Sequence, residues 1–213
     1  MPGAAWAHRH LLDVDELSVE DLDLIMRTAD RMAAGLRGEQ PIEPVLRGTN
    51  VTILFYEAST RTRVSFEVAA THLGATVVNV SASGSSVTKG ESLLDTMRTL
   101  ESTGAQVLVI RHATSGAPYL VARHFGGNVI NGGDGWHAHP TQAMLDLYPI
   151  RQRLDDGALS DRPVAGLLAG RKVAIVGDVL HSRVARSNVW TLTAAGADLW
   201  VAGPATLLRG WDA

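Results

Sequence analysis

Apolar positions recur along this chain with two different periods, and the switch between them sets the expected fold. From Leu22 through Ile25, Met26, Ala29, Met32 and Ala33 to Leu36 the spacing is three and four residues, the stripe of an amphipathic helix. Ser18 and Asp21 stand just ahead with capping-box spacing, which predicts a helix beginning after Ser18. Beyond Pro41 and Pro44 the pattern changes to short, β-branched runs at 51–56, 76–80, 106–111, 128–131, 172–177 and 198–202, separated mostly by segments with helical spacing. Strand–helix alternation of this kind predicts right-handed βαβ units in parallel sheets, with ligands outside the carboxyl ends of the strands. The expected class is α/β.

The rhythm breaks between Arg151 and Gly170, where Asp155-Asp156-Gly157, Pro163 and further glycines interrupt it. Two parallel-sheet βαβ domains are therefore expected, residues 1–153 and 154–213. From Lys172 onward there is room for only two strands and one helix, too little to cover both faces of a parallel sheet, so the second domain is expected to be incomplete. Its apolar face around Val173, Ile175, Leu199 and Val201 is expected to be uncovered.

Composition narrows the functions. The 213 residues are 46% hydrophobic with a net charge of −3, and the pI is near 6.2. That charge gives no bulk attraction to nucleic acid or acidic membrane, so neither is an expected partner and anion binding must come from local arrangements. Cysteine is absent, which removes disulfide and thiolate chemistry and fits a reducing cytoplasm. No apolar run approaches membrane-spanning length, and the expected location is cytoplasmic.

The candidate chemistry lies where strands end. Ser59-Thr60-Arg61-Thr62-Arg63 follows the first strand-like run and precedes a helical pattern, the arrangement of an oxyanion cradle. A helix start offers unpaired N–H groups and a positive dipole end, and arginine adds a planar fork for phosphate oxygens. The serine-rich loop 81–90 ends in Lys89-Gly90 and suits an anion-binding arm, although its glycine spacing is not that of a Walker loop. Arg111 closes a buried strand, where a guanidinium is costly unless paired or aimed at a ligand. In His137-Ala138-His139-Pro140-Thr141-Gln142, Pro140 suits a first helical turn and sets His139 at the helix mouth, where an imidazole N–H can stabilise an oxyanion. Gln142 can read an amide, while Asp134, His137 and His139 form an alternative metal-ligand set. Arg183, at the start of the last helical segment, can hold a carboxylate.

Together, Ser59-Thr60-Arg61-Thr62-Arg63, Lys89-Gly90-Glu91-Ser92, Arg111-His112, His139-Pro140-Thr141-Gln142 and Gly177-Asp178 with Arg183 resemble the catalytic chains of aspartate carbamoyltransferases. The first and fourth motifs are shared across transcarbamoylases, whereas the serine-rich loop ending in Lys89-Gly90-Glu91 is the aspartate-type feature. The resemblance implies transfer of the carbamoyl group of carbamoyl phosphate to the amino group of L-aspartate, in pyrimidine biosynthesis. By this resemblance Ser59, Thr60, Arg61 and Thr62 bind phosphate, Arg111 and His139 polarise the carbonyl oxygen, and Gln142 holds the carbamoyl amide. Thr62 also helps at the carbonyl, and Arg183 binds the α-carboxylate of aspartate. Ser85 and Lys89 match residues lent to a neighbouring subunit, implying a homotrimer with shared sites, and further pyrimidine-pathway subunits are compatible with it. No metal or organic cofactor is implied. Family chains continue past the position of Ala213, so two other readings stay open: a non-catalytic fragment that binds carbamoyl phosphate, and a transcarbamoylase for another amine such as ornithine.

Overall fold

The computed structural model describes residues 6–81, 91–154 and 162–210. The described chain is α/β, and the expected alternation of strand and helix is present with boundaries shifted by at most three residues. By contact it forms two compact units, one made of His8–Leu12 with Pro41–Gly135, the other combining Asp13–Gln40 with the residues from Trp136 onward. No helix of the described residues is long and apolar enough to cross a membrane.

In the first unit β1 (Asn50–Phe55), β2 (Thr76–Ser81), β3 (Val107–His112) and β4 (Asn128–Asp134) form a parallel sheet in the order β2-β1-β3-β4. The chain at Leu11 extends it beyond β4, giving its N–H to Val129 and accepting from the Asn131 N–H, both at 2.8 Å. Alternate residues of the central strands feed two cores. Leu54, Leu108, Ile110 and Val129 pack with Met97 of α3 (Leu93–Ser102) and with Val121 of α4 (Ala117–Ala122). Val51, Ile53, Phe55 and Val109 pack instead with Ala70 of α2 (Thr60–His72). Covering both faces is what a parallel sheet requires, and it leaves the strands' carboxyl ends as the open edge.

The second unit contains α1 (Val19–Leu36), α5 (Pro140–Leu154) and α6 (Arg183–Ala194), with β5 (Lys172–Val176) and β6 (Asp198–Ala202) paired in parallel. The predicted capping box starts α1: Ser18 Oγ accepts the Asp21 N–H at 3.1 Å, and the Asp21 carboxylate accepts the Ser18 N–H at 2.9 Å. Arg151 of α5 is fully buried, and its Nη1 meets Asp30 of α1 at 2.7 Å while its Nε donates to the Arg162 carbonyl. A buried guanidinium is tolerated only with such partners, so this pair locks α1 to α5. The two-stranded sheet corrects one expectation. Val173, Ile175, Leu199 and Val201 are half-buried, and the exposed face is the opposite one, carrying Ala174, Val176 and Trp200. Alternation along both strands was correctly readable, but which face α6 would cover was not.

Candidate active site

Among the described residues four helices start after a serine, and one of those serines behaves differently. Ser18, Ser92 and Ser182 each accept the backbone N–H three residues on, capping α1, α3 and α6. Ser59, at the head of α2, makes no such bond; its Oγ donates to Thr62 Oγ1 at 3.0 Å. The first turn of α2 therefore has N–H groups that its N-cap side chain does not pair, at the positive end of the helix dipole. Thr60 and Arg61 are exposed there, Ser59 and Thr62 half-buried. Arg63 is engaged by Glu67 at 3.8 Å, whereas Arg61 has no ion pair among the described residues, so the two arginines of the motif are not equivalent.

Arg111 stands on the same sheet edge. It is the register partner of Phe55, the residue that ends β1, and its carbonyl accepts the Tyr56 N–H at 2.9 Å. Its side chain is buried, with Nη2 at 2.6 Å from Glu57 Oε1 and Nη1 at 3.1 Å from the Gly132 carbonyl. The expected pairing is thus met by a carboxylate. Glu57 was missed by the sequence reading; an acidic residue two positions past β1 was the available signal. Next to Arg111, burial lowers the pKa of His112, whose Nδ1 accepts the Thr114 N–H at 2.9 Å.

After β4 the chain turns at the last residue of the first unit, Gly135, before α5 begins in the other. Gly135 adopts φ 46°, and a Cβ there would collide with Ser115, so only glycine suits the position. Pro140 opens α5 and His139 sits at its mouth, 5% exposed, as the spacing predicts. The His139 backbone N–H donates to Ser187 Oγ of α6 at 2.9 Å, and its Nδ1 lies 3.4 Å from Thr141 Oγ1. Gln142 and Arg183 are half-buried, and Arg183 is the first residue of α6, one turn ahead of Ser187. Trp136 and His181, in the loops leading to α5 and α6, meet edge to face at 4.4 Å.

The alternative metal set does not gather. Asp134 is fully buried and accepts from the Gly116 N–H at 2.6 Å and from Asn131 Nδ2 at 2.8 Å, and the His137 Nε2 lies 3.6 Å from Asp13. Among the described residues no three His, Cys, Asp or Glu side chains are grouped to hold an ion. Ser85 and Lys89 lie outside the described residues. Ser187, Asp146 and Asn188, which contact His139 or Gln142 or stand beside them, were also missed; only the four-residue step from Gln142 to Asp146 was visible in the sequence.

Comparison with known proteins follows the same lines. Residues 9–152 match the model of the aspartate/ornithine carbamoyltransferase, carbamoyl-P binding domain, family. The aspartate carbamoyltransferase catalytic subunit of Roseiflexus castenholzii is 52% identical over 212 residues, covering 98% of this chain and 63% of that protein. That of Dehalococcoides mccartyi is 49% identical over 203 residues, covering 95% and 58%. Among solved structures, aspartate transcarbamoylase from Trypanosoma cruzi in complex with carbamoyl aspartate and phosphate superposes with a TM-score of 0.79 at 30% identity, covering 93% of this chain and 61% of that one. The catalytic subunit of M. jannaschii aspartate transcarbamoylase gives 0.75 at 32% identity, covering 95% and 64%. The chain thus spans about three-fifths of the length of the curated relatives it matches.

Proposed function

The chain belongs to the aspartate/ornithine carbamoyltransferase family, and from that premise we propose that it carries the carbamoyl-phosphate half, and part of the aspartate half, of an aspartate carbamoyltransferase. Residues 1–153 are the carbamoyl-phosphate-binding domain in this reading and 154–213 part of the aspartate-binding domain. The reaction gives N-carbamoyl-L-aspartate and phosphate, the pyrimidine-forming step, in the cytoplasm.

The observation that carries the proposal is the uncapped start of α2, with Arg61 beside it in no ion pair among the described residues. Ser59, Thr60, Arg61 and Thr62 hold the phosphate, and Arg61 supports the bridging oxygen as it departs. Arg111 and His139 donate to the carbamoyl oxygen while the amine of aspartate attacks its carbon and negative charge develops there. Gln142 holds the carbamoyl amide and Arg183 the α-carboxylate of the acceptor. Fixed donors of this kind lower the barrier because they are already oriented when charge appears. The departing phosphate takes the amine proton, so no side chain is required as general base. Ser85 and Lys89 serve a neighbouring subunit's site in a homotrimer.

Aspartate-dependent phosphate release by the intact protein, with N-carbamoyl-L-aspartate identified as product, tests the reading. Turnover with ornithine in place of aspartate, or none with either, overturns it. Sharing of sites has its own test: inactive Lys89→Ala and Arg61→Ala proteins, mixed under subunit exchange, regain activity. Failure to regain it despite exchange places Lys89 in its own chain's site.

A further inference from the structure

Helices α5 and α6 are joined by a bridge that none of the roles above uses. Gln142 Nε2 donates to Asp146 Oδ1 at 2.8 Å, and Asn188 Nδ2 donates to Asp146 Oδ2 at 2.8 Å. Asp146 lies one turn beyond Gln142 on α5, and Asn188 follows Ser187, the residue that accepts the His139 N–H. All three members of the bridge are half-buried.

An ionised carboxylate accepts hydrogen bonds and donates none, so it can meet only the NH2 end of a carboxamide. The carboxamide torsion of glutamine is otherwise broad and nearly two-fold, leaving its two ends interchangeable. Asp146 removes that freedom: with one Nε2 hydrogen held by the carboxylate, the amide is fixed with its acceptor end, Oε1, turned away from Asp146. Asn188 occupies the second carboxylate oxygen in the same sense and keeps the acid in place.

We propose that Asp146, braced by Asn188, is a positioning residue that makes Gln142 an obligate acceptor and thereby selects a transferred group bearing N–H, the carbamoyl group, over an acetyl group of the same shape. The inference rests on the reading that Gln142 meets the transferred group. Carbamoyl and acetyl phosphate differ by NH2 against CH3, and a pocket that judged shape alone would separate them poorly. An oriented acceptor left unpaired by the methyl group separates them strongly.

The test uses a charge-matched pair of unreactive analogues, phosphonoacetamide and acetonylphosphonate, titrated calorimetrically into the intact protein. The wild type binds the amide more tightly than the ketone. In Asp146→Asn, an isosteric change that lets the partner donate, Gln142 can turn and the preference falls about tenfold. Asn188→Ala removes the brace but leaves the carboxylate that Gln142 meets, and the preference falls by less than in Asp146→Asn, about two- to threefold. Equal weakening of both analogues in Asp146→Asn, with the ratio unchanged, overturns the proposal and leaves the functional reading standing. A wild type that binds neither analogue overturns both. Should Asp146→Asn fail to fold, nitrogen-15 NMR of the wild type decides: the Gln142 side-chain NH2 protons stay protected from exchange in the phosphonoacetamide complex, and their loss of protection there contradicts the proposal.

Discussion

The starts of α2 and α6 share one grammar and differ in how their backbone donors are used. Each follows a parallel strand, each is preceded by a serine, and each carries arginine in its first turn. Ser182 spends its side chain on the Ala185 N–H at 3.1 Å, and Asp178 adds a carboxylate at that mouth, accepting the His181 N–H at 3.1 Å. Ser59 spends its hydroxyl on Thr62 and leaves the α2 donors open. The same sequence signal thus yields a closed helix start at α6 and an anion-ready one at α2. What separates them is the direction of one hydroxyl, and with it the number of N–H groups still unpaired.

If that difference is functional, the largest effect comes from removing the cation at the open end. Arg61→Ala should lower turnover by ~10²–10³, the ~2.7–4 kcal/mol typical of a lost oxyanion donor, with the fold unchanged because Arg61 is exposed. Steady-state assay with circular dichroism as a fold check measures both. Activity within a few-fold of the parent would take Arg61 out of the reaction.

A crossed pair of substitutions sharpens the comparison. Ser182→Ala removes a cap and should cost ~1 kcal/mol of stability, about 2–4 °C in Tm for a chain of this size. Phosphonoacetate affinity should barely change. Ser59→Ala removes no cap and should leave Tm within about 1 °C, while weakening phosphonoacetate roughly tenfold by loss of one bond to a charged group. Differential scanning calorimetry and titration calorimetry read the cross; the reverse pattern would mean that Ser59 is a cap in solution.

The smallest effect expected is in acid. Burial lowers the His112 pKa, so its contribution to stability is complete above the unfolded value of ~6.5 and is lost as pH falls through that value toward the native one. At α6 the hydrogen bond from His181 holds Asp178 below the ordinary carboxylate value, so that contribution persists above ~3.9 and fails only as pH falls through the lowered pKa. Amide exchange between pH 7 and 5 should therefore show the unit containing α2 loosening first, and His112→Asn should remove part of that pH dependence, the rest resting on His10, whose pKa burial also lowers. Equal loosening around α6 over the same range would contradict this assignment.

Much of this was legible in the sequence, for definite reasons. Period-two runs and the Ser18–Asp21 box announced β1 to β6 and α1, because alternation and capping are local. Pro140 correctly placed His139 at a helix mouth for the same reason. The Arg111–Glu57 pair, the Ser187 bond to His139 and the Asp146–Asn188 bridge were not legible, since each joins residues brought together only by tertiary packing. The covered face of the β5–β6 sheet was misjudged because alternation names two faces without saying which one a helix will take. That Ser59 would not cap α2 was also invisible, because a hydroxyl's choice of partner depends on its rotamer and not on its neighbours in the chain.

The most direct measurement of the central claim is a nitrogen-15 amide titration of the intact protein with phosphonoacetate, following the first turns of α2 and α6 in one experiment. The amides of Thr60, Arg61 and Thr62 should shift together in a saturable way, those of Val184 and Ala185 should hardly move, and Arg61→Ala should abolish the α2 response. Shifts at α6 with α2 silent would contradict the account, and would make the open start of α2 a local irregularity with no ligand to receive.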